Sequence, residues 1–268
     1  MSVDRCNGFF CGSDQASSNK GWCSVISVVV STHRPQFIDT IIENFSRQTL
    51  VEKELILILN TWDIDLLRIR KKLAIRGVRA DIFLLPPHIS LGECLNQGVK
   101  RASYSTIAKF DDDDYYGKYY LEEAQHVLSE TGAEVIGKRS FFIYFKNTNE
   151  LRLYHPGYEN IWIPNHGMAA YKNTYFFSGA TLVTKKSIAE TFPFPNTNIG
   201  EDSWFQKNCF LNGIRMYAAS RKNYAYLRYP SRYHHTSNSS DSLLKKNSDW
   251  VANTLALSHY VDQTVPQY

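Results

Sequence analysis

Between residues 24 and 110 the sequence alternates four short apolar runs with three stretches of helical period, and this alternation restricts the fold more than any other feature. Ser24–Ser31 (SVISVVVS), Glu54–Leu59 (ELILIL), Asp81–Leu85 and Thr106–Phe110 (TIAKF) are rich in aliphatic residues. Continuous apolar runs of this length read as strands buried on both faces. Between them, Ile38, Ile41, Ile42 and Phe45 fall at i, i+3, i+4 and i+7 behind Pro35, the stripe of an amphipathic helix. Ile64–Arg76 reads as a second helix, and Pro86-Pro87 stops the third strand. Ser90-Leu91-Gly92-Glu93 has the spacing of a capping box, opening a third helix to about Ala102. The alternation predicts parallel βαβ units, hence a mostly parallel sheet flanked by helices. With 268 residues, 43% of them hydrophobic, one α/β domain can bury a substantial core. No period of 20–50 residues repeats, which excludes a solenoid.

Beyond about residue 134 the pattern becomes mixed. Val135–Gly137, Ser140–Phe145 and Leu151–Tyr154 read as short strands, the last two as a hairpin across Lys146–Glu150. Tyr175–Val183 reads as a strand containing Gly179, followed by a short helix near Lys185–Thr191. A loop marked by Pro193, Pro195 and Asn196–Asn198 ends in Gly200-Glu201-Asp202. The helix after it is expected to carry Trp204, Phe205 and Cys209 towards the core, and another helix is expected near Ser242–Leu255. The expected organisation is a flexible N-terminus at 1–20, the main domain at 21–240 and a helical or irregular tail at 241–268.

Composition narrows the function classes. A net charge of +4 without a concentrated basic stripe gives no reason to expect a nucleic-acid partner. No apolar run approaches the roughly 18 residues of a membrane span, and the first twenty residues lack the apolar core of a secretory signal. The expected location is therefore cytoplasmic, with peripheral association at the inner face of a membrane left open. Five cysteines, at Cys6, Cys11, Cys23, Cys94 and Cys209, are an odd number and do not suggest a disulfide framework. Cys6, Cys11 and Cys23 lack the CxxC pairing and nearby His of a zinc site. The aromatic share is high, at 14% with 17 Tyr, as in half-wet interfaces or carbohydrate clefts.

Three polar signals carry chemistry. Asp111-Asp112-Asp113-Asp114 follows the fourth strand directly, and in a parallel sheet the carboxyl ends of strands face the ligand crevice. Adjacent carboxylates repel, and a bound Mn²⁺ or Mg²⁺, completed by phosphate oxygens and water, relieves that repulsion. The bland alternative is a solvated acidic turn. An EF-hand fails because Tyr116 stands where the loop requires glycine. Neither a P-loop nor a G-x-G-x-x-G follows the first strand, and no G-x-S-x-G marks a hydrolase. Glu201-Asp202 is the second signal: a separately placed carboxylate suited to a general base, or simply acids favoured by a helix start. The third, Arg228–Thr236 (RYPSRYHHT), offers cations for phosphate and imidazoles for a metal, or is a basic surface turn.

The order of these signals resembles the family-2 glycosyltransferases of the GT-A fold, inverting enzymes that use nucleotide sugars. The resemblance is carried by Ser27–Pro35 (SVVVSTHRP), Phe45-Ser46-Arg47-Gln48, Glu54–Leu59, Leu91-Gly92, Leu95-Asn96-Gln97-Gly98, Ala108–Asp114, Phe177–Leu182 (FSGATL) and Gly200-Glu201-Asp202, and covers about residues 24–236. It implies a GT-A-type nucleotide-sugar-binding fold with a smaller mixed or antiparallel acceptor part. It places Asp111 and Asp113 at the D-x-D carboxylates, Asp113 as the direct metal ligand and Asp111 near the ribose or a metal-bound water. Asp202 falls at the general base, with Glu201 beside it. Thr32, Arg34, Asn60, Asn96, Asp112, Ser178 and Gly179 fall in the donor-binding set, and His234 or His235 at a late ligand to metal or diphosphate. The implied partners are a nucleotide-diphosphate sugar, a UDP-sugar foremost, and a carbohydrate or glycoconjugate acceptor in surface polysaccharide synthesis.

Two departures stand out. Asn60 occupies a position where the family commonly has Asp facing the base, and the short C-terminal part lacks membrane helices, unlike the processive branches. Acceptor contacts are expected within Tyr154–Tyr175. The competing functions are a nucleotidyltransferase of similar architecture, which would want a glycine-rich loop after the first strand, and a non-catalytic carbohydrate-binding module, which would not need Asp202.

Overall fold

The structure, a computed structural model, describes residues 25–164, 172, 176–230 and 240–264. The first half follows the expected alternation closely. Strands β1 (Val25–Thr32), β2 (Glu52–Leu59), β3 (Ala80–Leu84) and β4 (Thr106–Phe110) alternate with helices α1 (Ile38–Ser46), α2 (Leu66–Ile75) and α3 (Leu91–Arg101). Ser90 caps α3, its hydroxyl accepting the Glu93 N–H at 3.2 Å. After a short strand β5 (Tyr115–Tyr116) come α4 (Tyr120–Thr131), β6 (Val135–Gly137), β7 (Phe141–Phe145), β8 (Glu150–Tyr154) and β9 (Ile161–Trp162). The chain continues through β10 (Val183–Lys185), α5 (Lys186–Thr191), α6 (Glu201–Leu211), β11 (Met216–Ala218) and β12 (Tyr224–Arg228). It ends in α7 (Asp241–Lys246), β13 (Ser248–Asn253) and α8 (Leu257–Val261).

The main sheet has eight strands in the order β3-β2-β1-β4-β10-β6-β11-β9. Strands β1 to β4 are parallel, while β10 runs antiparallel between β4 and β6. Because side chains alternate along a strand, Val28, Val30, Leu55, Leu57 and Leu59 enter one core with α1, α2 and α4. Val29, Ile56, Ile58 and Ile107 enter the opposite core with α3 and α6. Chain order reverses between β1 and β4, so a crevice opens outside their carboxyl ends. A smaller mixed sheet, β13-β8-β7-β12-β5, lies beside it.

Three expectations are corrected. The stretch read as a strand over Tyr175–Val183 contains a 3₁₀ turn at Gly179–Thr181, and the strand begins only at Val183. The Ser178 carbonyl accepts both the backbone N–H and the hydroxyl of Thr181, which closes the turn. On α6, Phe205 and Cys209 are buried as expected, but Trp204 lies about 100° around the helix from Phe205 and is 54% exposed. The helix expected near Ser242–Leu255 is two short helices flanking β13, which pairs antiparallel with β8. Chain beyond residue 240 thus contributes a strand to the smaller sheet.

Candidate functional site

The crevice end of β4 is where the acidic run sits, and most of it is buried rather than a solvated turn. Asp112, Asp113 and Asp114 are 4%, 8% and 2% exposed. Burial of like charges needs compensation, and the structure supplies it from two basic side chains and a set of neutral hydrogen bonds. Arg34, just past the end of β1, reaches across the sheet to both Asp112 and Asp113. Its guanidinium pairs with Asp112 and its Nη1 lies 3.0 Å from an Asp113 oxygen. The Thr32 hydroxyl also donates to Asp112. Burial opposes the Arg34 charge, but Asp112 and then Asp113 more than offset it, so its pKa is raised. Asp113 is nevertheless pushed up to about 7, first by burial and then by Asp112, because the one guanidinium is shared.

Asp114 plays a structural part. It accepts hydrogen bonds from the Tyr224 hydroxyl at 2.6 Å and the Leu227 N–H at 3.0 Å, joining the acidic turn to the smaller sheet. The backbone of the turn is fixed by Tyr116. Its hydroxyl accepts the Asp111 N–H at 2.8 Å and donates to the Ala180 carbonyl at 2.6 Å, so one buried phenol ties the acidic turn to the Gly179 segment.

Lys109, inside β4, was hidden in an apolar run and is the main residue that sequence reasoning missed. Its ammonium is buried and pairs with Asp111. Burial lowers its pKa, yet Asp111, then Glu201 and Asp202, raise it above the ordinary value. Lys109 thus pairs with Asp111 and also feels the charge of the acidic pair that sequence places ninety residues later. The available signal was a lysine two residues before Asp111 in a strand otherwise buried on both faces.

Glu201 and Asp202 open α6, and Gly200, with φ of 76°, makes the left-handed turn into it. The two acids differ in access. Glu201 is 5% exposed and is pushed up to about 7, mainly by burial, with Lys109 pulling the other way. Asp202 is half-buried, and one of its oxygens accepts the Ser203 N–H at 2.7 Å. Its other oxygen rests on Gly179: a Cβ at that position would lie 1.6 Å from Asp202 Oδ2. Only glycine permits that approach, and Asp202 is the more accessible acid of the pair.

Other expected donor-binding residues divide into two groups. Thr32 and Asp112 are hydrogen-bonded within the Arg34 cluster. The Asn96 amide brackets Phe194, donating to the carbonyl at 2.8 Å and accepting the N–H at 2.9 Å. Asn60 stays at the crevice edge, its amide donating to the Pro86 carbonyl at 2.6 Å. Ser178 lies half-buried beside Tyr224, with the hydroxyls 3.4 Å apart. Arg228 turns to Asp241 at 2.7 Å, whereas Tyr229 remains close to the acidic turn. Burial, then Asp113 and Asp114, raise the pKa of its phenol. His234 and His235 lie outside the described residues, as does most of 165–175 within the expected acceptor stretch.

Among the described residues no group of three or more His, Cys, Asp or Glu side chains is arranged to hold a metal. The donor set at the end of β4 is instead the under-neutralised Asp113 and the partly exposed Asp111. Two carboxylates suit a hard cation such as Mg²⁺ that takes its remaining oxygens from phosphate and water.

A mostly parallel sheet with an acidic turn at its switch point, and a second acidic pair at a helix start, is an architecture of the GT-A class. Residues 27–192 match Glycosyl transferase family 2, and the chain belongs to that family and is a glycosyltransferase. It is similar to the O-antigen biosynthesis glycosyltransferase WbnJ of Escherichia coli, with 27% identity over 166 residues, 61% of this chain and 63% of the relative. Among solved structures it resembles S. aureus TarS 1–349 in complex with UDP, with a TM-score of 0.61 and 21% identity, over 77% of this chain and 61% of that one. It also resembles the mannosyltransferase PcManGT from Pyrobaculum calidifontis in complex with GDP-Man and Mn²⁺, with a TM-score of 0.55 and 11% identity, over 77% and 57% of the two chains. The chain thus spans about three-fifths of the length of these relatives.

Proposed function

We propose that the protein transfers a sugar from a nucleotide diphosphate, a UDP-sugar foremost, to an acceptor hydroxyl with inversion, in surface polysaccharide or glycoconjugate synthesis. The observation that carries this reading is the buried acidic turn at the carboxyl end of β4, held by Arg34 and Lys109, together with the close seat of Asp202 on Gly179. It supports a site in which one carboxylate group faces the diphosphate and another faces the acceptor. A UDP complex of TarS and the O-antigen role in the name of WbnJ support the donor and pathway class.

In this reading the donor lies across the crevice between β1 and β4, with Asn60 and Arg34 at its nucleotide end. Asp113, assisted by Asp111, would hold Mn²⁺ or Mg²⁺ shared with the diphosphate. Such a cation, when bound, stabilises the charge that develops on the leaving diphosphate. Asp202 accepts the proton of the acceptor hydroxyl as its oxygen forms the new bond to the anomeric carbon. The bond from that carbon to the diphosphate oxygen breaks on the opposite side, and its electron pair leaves with the nucleotide, so the configuration inverts. Gly179 and the 3₁₀ turn hold Asp202 in place, while Glu201 stays behind it, out of reach of the acceptor. A positioned base of this kind contributes on the order of 10²–10⁴ in rate.

Among the described residues no helix is long and apolar enough to cross a membrane. We propose a cytoplasmic enzyme with peripheral association at the inner face of a membrane. The function is tested by thermal-shift measurements with a panel of nucleotide diphosphates with and without Mn²⁺, followed by transfer assays with the donor that stabilises most. Stabilisation by no nucleotide diphosphate refutes the donor assignment. Stabilisation without any transfer across an acceptor panel favours the carbohydrate-binding alternative.

A further inference from the structure

Helix α2 carries a surface that the sugar-transfer chemistry does not use. Between Leu66 and Arg79 the sequence has six basic residues, Arg68, Arg70, Lys71, Lys72, Arg76 and Arg79, and no acidic one, exceeding the net +4 of the whole chain. Ile69 and Leu73 anchor the inner side of the helix in the core. Lys72 and Arg76 turn back to α1, pairing with Asp39 at 2.6 Å and Glu43 at 3.5 Å. Arg68, Arg70, Lys71 and Arg79 are exposed and form no ion pair with any described residue. The outermost row of the helix, at i, i+4 and i+8, is Leu67, Lys71 and Ile75. Leu67 is 81% exposed and Ile75 73%, and Trp62, in the loop leading into the helix, is 64% exposed.

We propose that this outer face of α2 docks on an anionic lipid surface, lying in the plane of the interface. The charge pattern alone would fit any polyanion. The apolar residues choose between them: Leu67 and Ile75 flank Lys71, so the aliphatic side chains enter the headgroup boundary while the lysine stem extends its ammonium to the phosphates. A nucleic-acid backbone offers nothing for two exposed aliphatic residues on the same row. The N-terminal turn of α2 follows the β2 carboxyl end and lies at the same sheet edge as Asp111–Asp113. Docking through α2 would therefore bring the crevice edge close to the membrane. The proposal deepens the membrane-face placement proposed above by naming the surface that makes the contact.

The test is sedimentation of the whole protein with vesicles of phosphatidylcholine alone or mixed with phosphatidylglycerol, at low and physiological salt. Two variants accompany the wild type: Arg68→Glu/Arg70→Glu/Lys71→Glu, and Leu67→Ser/Ile75→Ser. All five side chains are solvent-facing, and unchanged thermal melting confirms that both variants are folded. Each basic residue near an anionic surface contributes about a fivefold factor in partitioning, so the charge variant should lose at least on the order of 100-fold. The apolar variant should also bind more weakly, and the wild type should ignore neutral vesicles. Vesicle binding that survives the charge variant overturns the role of α2 while leaving the membrane placement standing. Absence of wild-type binding to anionic vesicles overturns both. Unchanged vesicle binding by the apolar variant, with tighter binding of the wild type to duplex DNA, replaces the lipid surface with a nucleic acid and overturns the proposal.

Discussion

Replacing Gly179 by alanine tests the proposed base without touching any charged group. The residue lies in a 3₁₀ turn without left-handed backbone, so alanine brings no conformational penalty of its own. Its Cβ, however, would fall 1.6 Å from Asp202 Oδ2, 2.4 Å from the carboxyl carbon and 2.7 Å from Cβ of the same side chain. The carboxylate must retreat by about 2 Å to reach ordinary van der Waals contact. Asp202 is half-buried at the first turn of α6, so it can swing outwards at a cost to folding of no more than about 1 kcal/mol. Catalysis is far less tolerant: a misplacement of about 1 Å can cost 10²-fold, and loss of a positioned base costs on the order of 10²–10⁴. Initial rates at saturating donor and acceptor should therefore fall at least about 100-fold, equivalent to about 3 kcal/mol of transition-state stabilisation. Donor affinity by calorimetry should stay within a small factor of wild type. A wild-type kcat refutes the base position. A loss of rate matched by an equal loss of donor affinity moves Gly179 from supporting the base to contacting the donor sugar.

Other substitutions separate the remaining roles. Asp202→Asn should lower kcat with little effect on donor binding, whereas Asp113→Ala should lose donor affinity together with any dependence on added Mn²⁺; equilibrium binding and single-turnover rates distinguish them. Lys109→Met leaves Asp111, Glu201 and Asp202 without their shared cation and should destabilise by about 2 kcal/mol in denaturant melts, below the value for a fully buried pair because Asp111 is partly exposed; an unchanged midpoint refutes that linkage. Glu201 has a folded-state pKa of about 7, raised from 4.5 mainly by burial. Its unfolded form loses the proton first, so its contribution is full below about pH 4.5 and lost as the pH rises through 7, up to about 3 kcal/mol. Glu201→Gln should remove that share of the slope between about pH 4.5 and 7, and an identical slope in the variant contradicts the assignment.

The first half of the fold was legible because its signals are local. Apolar continuity marks β1 to β4, and the Ser90 cap and the Ile38–Phe45 stripe mark α3 and α1 without knowledge of distant chain. The segment at 176–182 was misread because its conformation is set by remote partners: the Lys138 backbone carbonyl accepts the Ser178 N–H, and Tyr116 reaches the Ala180 carbonyl. Ser248–Asn253 becomes a strand for the same reason, through pairing with β8. In the site, Asp111, Asp113, Asp202 and Gly179 were identifiable as residue types, but their neighbours were not. The sequence does not show that Asn96 brackets Phe194, 98 residues away, with both ends of its amide. Lys109 looks like an interruption of an apolar run until Glu201 and Asp202 come into range.

The two kinds of contact that assemble the crevice have different fates when a ligand arrives. Tyr116 and Tyr224 position the acidic turn through short hydrogen bonds from within the core, where no substrate reaches. Arg34 and Lys109 compensate the carboxylates through charge, and charge is what a diphosphate and its counter-ion also offer. Ionic partners can therefore be exchanged while the scaffold that spaces them stays still. Under the proposed function, reorganisation on binding is then confined to a few side-chain ends, and the interval between the acidic turn and Asp202 is set before any sugar enters.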